Sequence, residues 1–450
     1  MKFLDKKFTQ ETLKLAFPVM LTQVGQVSVN LFDNIIVGKL LGAKALAAVS
    51  LGNAVFFSIF IFGLGFSLAI PPLVSEAHSQ HNHDRINSIF RHGFVVNLSV
   101  GLLLVALIFG LIPFLPNLGQ PKEILPDTIT FLTIVTLSII PFMAFQTMRE
   151  VSEGLSYTIG VTKATIFANI INIILNYIFI KNFSWGVAGS AWATFIARIF
   201  MMIFLFYVLK NQEKTKRYIK NFSLKIELFT KEMFEKLIRL GFPTALQLFF
   251  EVTAFAGAAF ICGLISAKDI AAHQIALSMA SFTFNLCVGF SVASTVMIGR
   301  KLGEKDFVNL EKVGFNNIKI AFLFMLFCGI VFILGRNILP TFFTKKEDID
   351  VVLLASKLMI IAALFQLSDG IQVTAIGCLR GIQDVKVPSI LTFIAYWIIT
   401  IPLGYYLCYT LNMGAFGMWI ALGIGLTISA ILLVIRFRNL SEKKIHSIKK

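Results

Sequence analysis

Twelve apolar runs follow one another along this chain, each long enough to cross a hydrocarbon core about 30 Å thick. They fall at roughly 15–40, 46–75, 93–118, 127–148, 158–181, 187–209, 238–264, 271–298, 314–339, 351–377, 386–410 and 414–435. In lipid every backbone donor and acceptor has to be satisfied internally, which leaves helices or closed barrels. Continuous runs of this length exclude the alternating pattern of a barrel strand. The expected fold is an all-α integral membrane protein of twelve transmembrane helices. Composition agrees: of the 450 residues only 14% are charged, against roughly a quarter in a soluble protein. The basic start, MKFLDKKFTQ, runs into a full-length span, so no cleaved signal peptide is expected. Cys262, Cys287, Cys328, Cys378 and Cys408 lie inside or at the ends of apolar segments, where unpaired filler is expected.

A net charge of +16 would suit nucleic acid, but its distribution is topological. The N-terminus, the loops after even-numbered spans and the C-terminus together hold 30 of the 40 Lys and Arg. Basic loops stay on the cytoplasmic side, so both termini are placed there, in the cell (inner) membrane. Contact with anionic lipid headgroups is the further use of that charge, and nucleic acid is not a partner.

The longest polar interruption, 210–236, divides the chain into 1–209 and 237–450, two lobes of six spans each. Ile226, Phe229, Met233 and Leu237 are spaced for one face of a helix lying on the membrane surface. The lobes repeat each other. LAFPVMLTQ at 15–23 parallels LGFPTALQL at 240–248, GAKALAAVS at 42–50 parallels SAKDIAAHQ at 266–274, and Gly65-Phe66-Ser67 parallels Gly289-Phe290-Ser291. Both copies start on the cytoplasmic side, so they are related by an axis along the membrane normal. Internal repeats of this kind point to a transporter.

An ionised side chain at the centre of a span costs on the order of 2.5–3.5 kcal/mol on insertion scales. Asp33, Glu251 and Asp369 each fall inside a span, and no Lys or Arg stands at the depth of the latter two. A bound cation or proton is their natural counter-charge. Gln247 shares a helix face with Glu251, and Gln26, Asn30 and Asn34 accompany Asp33. Asn169, Asn172 and Asn176 form a polar stripe on span 5, for which amide bonding between helices is the structural alternative. Arg149 and Glu153 are spaced as an ion pair. The histidines of AHSQHNHDR (His78, His81, His83) read as a solvated loop, and His273 as a packed, hydrogen-bonded residue. Neither a phosphate-cradling Gly-Lys-Ser/Thr loop nor an HExxH zinc signature is present, and no nucleophile–base set marks an enzyme.

FPVMLTQVGQVSVNLFDNIIVGKLLGAKALAAVS, FPTALQLFFEVTAF, ASTVMIGRKLG and DGIQVTAIGCLRGIQD resemble the multidrug and toxic compound extrusion (MATE) family, in its NorM-like branch. The resemblance spans essentially the whole chain. It implies a V-shaped, two-lobed, cation-coupled exporter of amphipathic organic cations, working as a monomer without a cofactor and using Na⁺ or H⁺ as coupling ion. It implies a C-lobe cation site at Glu251 and Asp369, with Gln247 beside it and Na⁺ as a candidate ion. One turn before Asp369, where members often carry tyrosine, this chain has Phe365, which removes an oxygen and leaves a ring face. It implies an N-lobe cation or proton site at Asp33, Asn172, Asn176 and Thr194. A lipid-linked saccharide flippase of related fold is an alternative that wants a basic cavity. A channel or scaffold would conduct or bind without counter-transport.

Overall fold

The computed structural model describes residues 4–118, 121–343 and 349–448. Eleven helices are long and apolar enough to cross a membrane. A twelfth span is formed by Leu125–Leu137 and Ile139–Gly154, which meet at Ser138 with a bend of 41°. The spans, numbered in chain order, are Lys6–Leu41, Ala43–Ser79, His83–Asn117, that bent pair, Ile159–Asn182, Gly186–Asn211, Lys231–Ile265, Ala267–Gly303, Phe307–Gly335, Ile349–Gly381, Lys386–Thr410 and Gly414–Ser447. No strand occurs among the described residues.

The linker between spans 6 and 7 departs from its sequence reading. The surface helix is Glu213–Lys220, and 226–237 is not one helix. Ile226–Leu228 make a single tight turn, Phe229 is extended, and span 7 begins at Lys231. The cause lies on span 3: the buried His92 accepts the Thr230 backbone N–H at 2.8 Å, between the rings of Phe229 and Phe234. A backbone donor directed there cannot continue a helical ladder. Ile226 is left 88% exposed.

The chain gathers into two compact units, Leu21–Ala245 and Met1–Met20 with Leu246–Lys450. Spans 1 and 7 therefore each change unit part-way, two residues after Pro18 and Pro243. A proline inside a helix cancels one ladder bond and loosens the helix at that point. Glycine makes the exchange sterically possible. In the first unit a Cβ at Gly65 would collide with the backbone of Ala245, and Phe62 and Phe66 pack their rings on Phe242. In the second unit a Cβ at Gly289, the repeat partner of Gly65, would lie 2.8 Å from the Ala16 carbonyl oxygen.

The first unit is built on a cluster that includes Val37, Phe56, Phe60, Leu132 and Met143. The second has two clusters, one around Phe290, Met325 and Phe437 and one around Ala258, Met359 and Trp419. Ser266 caps span 8, its Oγ accepting the Asp269 backbone N–H at 3.0 Å, and the Asp269 carboxylate accepts the Ala415 backbone N–H at 2.7 Å, tying the start of span 8 to that of span 12.

Candidate functional site

In the second unit, Glu251 on span 7 is half-buried and Asp369 on span 10 is 4% exposed. Each lies within the field of the other. Neither forms an ion pair with Lys or Arg among the described residues, although the field of Arg380, eleven residues along span 10, reaches Glu251. Helical geometry places their neighbours: Gln247 one turn before Glu251 and Phe365 one turn before Asp369, both buried. The Phe365 ring meets Phe255 edge-on at 6.2 Å and Trp419 at 5.7 Å. Phe365 thus packs among aromatic rings of the second unit.

Several polar groups join the carboxylates that sequence reasoning had missed. Tyr396 on span 11 is fully buried within the field of both acids and donates its hydroxyl to Gln372 Oε1 at 3.1 Å. The other amide atom of Gln372, and both amide atoms of Gln366, are buried without a hydrogen-bond partner. Trp397 donates to the carbonyl of Phe250, fixing span 11 against the residue before Glu251. The two glutamines stand three residues either side of Asp369, so helical spacing alone was signal enough to find them. Tyr396 carried no such signal. Two carboxylates, with the unpartnered Gln366 amide three residues before one of them, suit a proton or a monovalent cation. No group of three or more His, Cys, Asp and Glu gathers among the described residues, the set a tightly held divalent metal prefers.

His273 is buried as expected, but it is not hydrogen-bonded. Both ring nitrogens lack a partner, and its close ring neighbour, at 5.9 Å, is Trp419, whose indole N–H is also unpartnered. Sequence shows the residue's depth but not the aromatic surface that meets it.

In the first unit, Asn176 donates to Asp33 at 2.6 Å and Asn172 to Thr194 at 3.3 Å, so the structure joins all four residues in two bonded pairs. Asn172 and Asn176 are buried, and the amide oxygen of each is unpartnered. Just beyond Asn176 the span widens into a π turn at Ile178–Asn182, a local irregularity common beside functional positions. A residue with no place in the sequence-based site stands here too. Arg198, on span 6, is the charged group whose field reaches Asp33.

At the end of span 4 near residue 150, Arg149 and Glu153 form a buried ion pair of 2.7 Å, as their spacing predicted. His83 bonds the Tyr218 hydroxyl at 2.8 Å, which ties span 3 to the linker helix. The five cysteines are free and buried.

The sequence profile of the MatE family matches this chain twice, over 18–178 and 243–406, once in each repeat. The chain is 33% identical to the probable multidrug resistance protein NorM of Agrobacterium fabrum, over 96% of this chain and 94% of that one. It is 31% identical to the multidrug resistance protein MdtK of Yersinia pseudotuberculosis, over 96% and 95%. Among solved structures it is similar to the eukaryotic MATE transporter AtDTX14, with a TM-score of 0.88 at 17% identity over 98% of this chain and 99% of that one. It is similar also to an outward-facing multidrug resistance MATE family transporter, with a TM-score of 0.89 at 20% identity over 97% and 96%. With twelve spans, a doubled profile match and full-length relatives, the chain belongs to the MATE family, a family of transporters and not of enzymes.

Proposed function

We propose that the chain exports amphipathic, mostly cationic drugs and toxic organic compounds in exchange for inward Na⁺ or H⁺, by alternating access. The observation that carries this reading is the Glu251/Asp369 pair: two acids in apolar helices, within each other's field and with no ion-paired base among the described residues. Two carboxylates at that depth demand a counter-charge, and a coupling ion drawn from outside supplies it. The printed names of the relatives, multidrug resistance proteins, support the drug as cargo.

Glu251 and Asp369 take up the ion, with Gln247 and Phe365 shaping the pocket, and Asp33 with Asn172, Asn176 and Thr194 forms a second ionisable centre. Loading favours drug release and return to the inward-facing state. Each inward charge gains roughly 2.3 kcal/mol per 100 mV, enough to offset a tens-fold drug gradient. The two lobes, 1–209 and 237–450, work as a monomer in the inner membrane, with 210–236 and both termini at the cytoplasmic, lipid-contacting surface. The 46 Phe and 13 Met supply a polarizable wall for varied flat cations.

Proteoliposomes loaded with a fluorescent organic cation test the reading. Efflux is expected to accelerate under an inward Na⁺ or H⁺ gradient, and the ion that accelerates it is the coupling ion. Efflux indifferent to both gradients sinks the proposal. A flippase is disfavoured by the scarcity of basic residues near the middle of the spans, where Arg198 is the main candidate.

A further inference from the structure

Span 11 leaves its regular ladder at Ile394–Thr400, a π segment that ends two residues before Pro402. Proline has no N–H to give the carbonyl one turn back, and a widened turn accommodates the loss. Thr400 donates its hydroxyl across that turn to the Ala395 carbonyl at 2.8 Å. Span 12 leaves room for it at Gly425, where a Cβ would strike Thr400 Oγ1. Two consecutive side chains of the segment then reach two different helices. Tyr396 donates to Gln372 on span 10, three residues past Asp369. Trp397 donates at 3.1 Å to the carbonyl of Phe250 on span 7, the residue before Glu251. Phe393, one turn before Trp397, packs its ring on that of Phe250 at 4.8 Å. Spans 7 and 10 also touch directly. The ring of Phe255 meets that of Phe365 at 6.2 Å and that of Tyr396 at 5.8 Å. Phe255 stands one turn after Glu251 and Phe365 one turn before Asp369, on helices that run in opposite directions. Both acids therefore lie one turn from the same ring contact, on the same side of it.

We propose that Tyr396 and Trp397 are positioning residues, and that the π segment of span 11 brackets spans 7 and 10 at the spacing where Glu251 and Asp369 hold one coupling ion between them. The inference rests on the antiport reading for the ion and adds what fixes the geometry around it. Two carboxylates that share an ion repel each other whenever it leaves. Helices left to that repulsion would drift, and a binding constellation tolerates errors of only about 0.5 Å before it weakens. The bracket resists the drift with neutral groups alone: a phenol, an indole, an amide and a backbone carbonyl. It holds the two helices without competing for the acids, whereas a basic side chain in either place would itself neutralise them.

The test follows efflux of a fluorescent organic cation from proteoliposomes as a function of the accelerating ion, Na⁺ or H⁺. Tyr396→Phe and Trp397→Phe each keep an aromatic ring and lose one hydrogen bond. Each is expected to raise the ion concentration for half-maximal efflux by about three- to tenfold, the worth of one such bond. The drug concentration for half-maximal efflux should not move with it. A bracket fails when either arm is released, so the double variant should match the more affected single variant instead of multiplying the two effects. A merely structural role would lower recovery, or shift the drug and ion constants together, and would not produce this split. Unshifted ion dependence in both single variants, equal shifts for drug and ion, or effects that multiply in the double variant overturns the proposal. If Tyr396→Phe is not recovered folded, Gln372→Met breaks the same bond from its acceptor side. Failure of the antiport reading shows separately, as efflux that neither ion accelerates in the unaltered chain, and would take this inference with it.

Discussion

An ionisable side chain in a membrane helix carries an insertion cost of about 2.5–3.5 kcal/mol, and this chain meets that cost differently at each one. Arg149 and Glu153 meet it within one helix turn. Breaking that pair strands a buried charge, so Glu153→Gln is expected to destabilise the first unit by about 3–5 kcal/mol. Replacing both residues by Met and Leu should recover most of the loss, as read by SDS titration of the purified protein. Glu251 and Asp369 have no such pair, and their neutral variants should fold. Glu251→Gln and Asp369→Asn are each expected to abolish ion-driven efflux while leaving stability unchanged or raised, because an uncompensated buried charge has gone. Full ion-driven efflux in both variants would refute the site. The acids were legible in the sequence because charge is costly in lipid. Gln366 and Gln372 were legible in principle by spacing. Tyr396 and the bare ring of His273 were not, since what a side chain meets across a helix interface is decided by packing of remote segments.

At the scale of elements, hydropathy located the spans, but not their internal breaks. The bend at Ser138 lies three residues before Pro141, which cannot donate a ladder bond to the preceding turn, a signal that hydropathy does not read. The linker shows the same limit: the 226–237 periodicity was real, yet one bond from Thr230 to His92 outweighed it. Gly65 and Gly289 carry the opposite lesson, for the sequence paired them as repeat positions and the structure gives that pairing a physical cause. Each admits the backbone of a half-span that crosses into its unit, Ala245 in one and Ala16 in the other. Leucine at either position has to push a helix backbone aside. Gly65→Leu and Gly289→Leu are each expected to cost about 1–3 kcal/mol, as for overpacking in a dense core. Gly110, with open space around it, is the control, and Gly110→Leu should leave the same unfolding midpoint unchanged.

Across the whole molecule the repeat has kept its backbone plan and diverged in its charges. Asp33 has Ala258 near its equivalent place, and Glu251 has Gln26. Conserved plan with diverged charge suits a machine whose halves move alike but bind differently. The basic loops predict that reporter domains fused after Lys450 or within 210–236 will be active only in the cytoplasm, and periplasmic activity at either place would reverse the assigned orientation. The central claim is exchange, and exchange is reciprocal: if an ion gradient drives the drug, a drug gradient must drive the ion. The most direct measurement imposes a gradient of organic cation across proteoliposomes with Na⁺ and H⁺ at equilibrium and records ion movement. Antiport predicts uphill ion flux opposite to the drug, lost in Glu251→Gln. Drug that equilibrates with no ion moving against it would contradict the proposed mechanism.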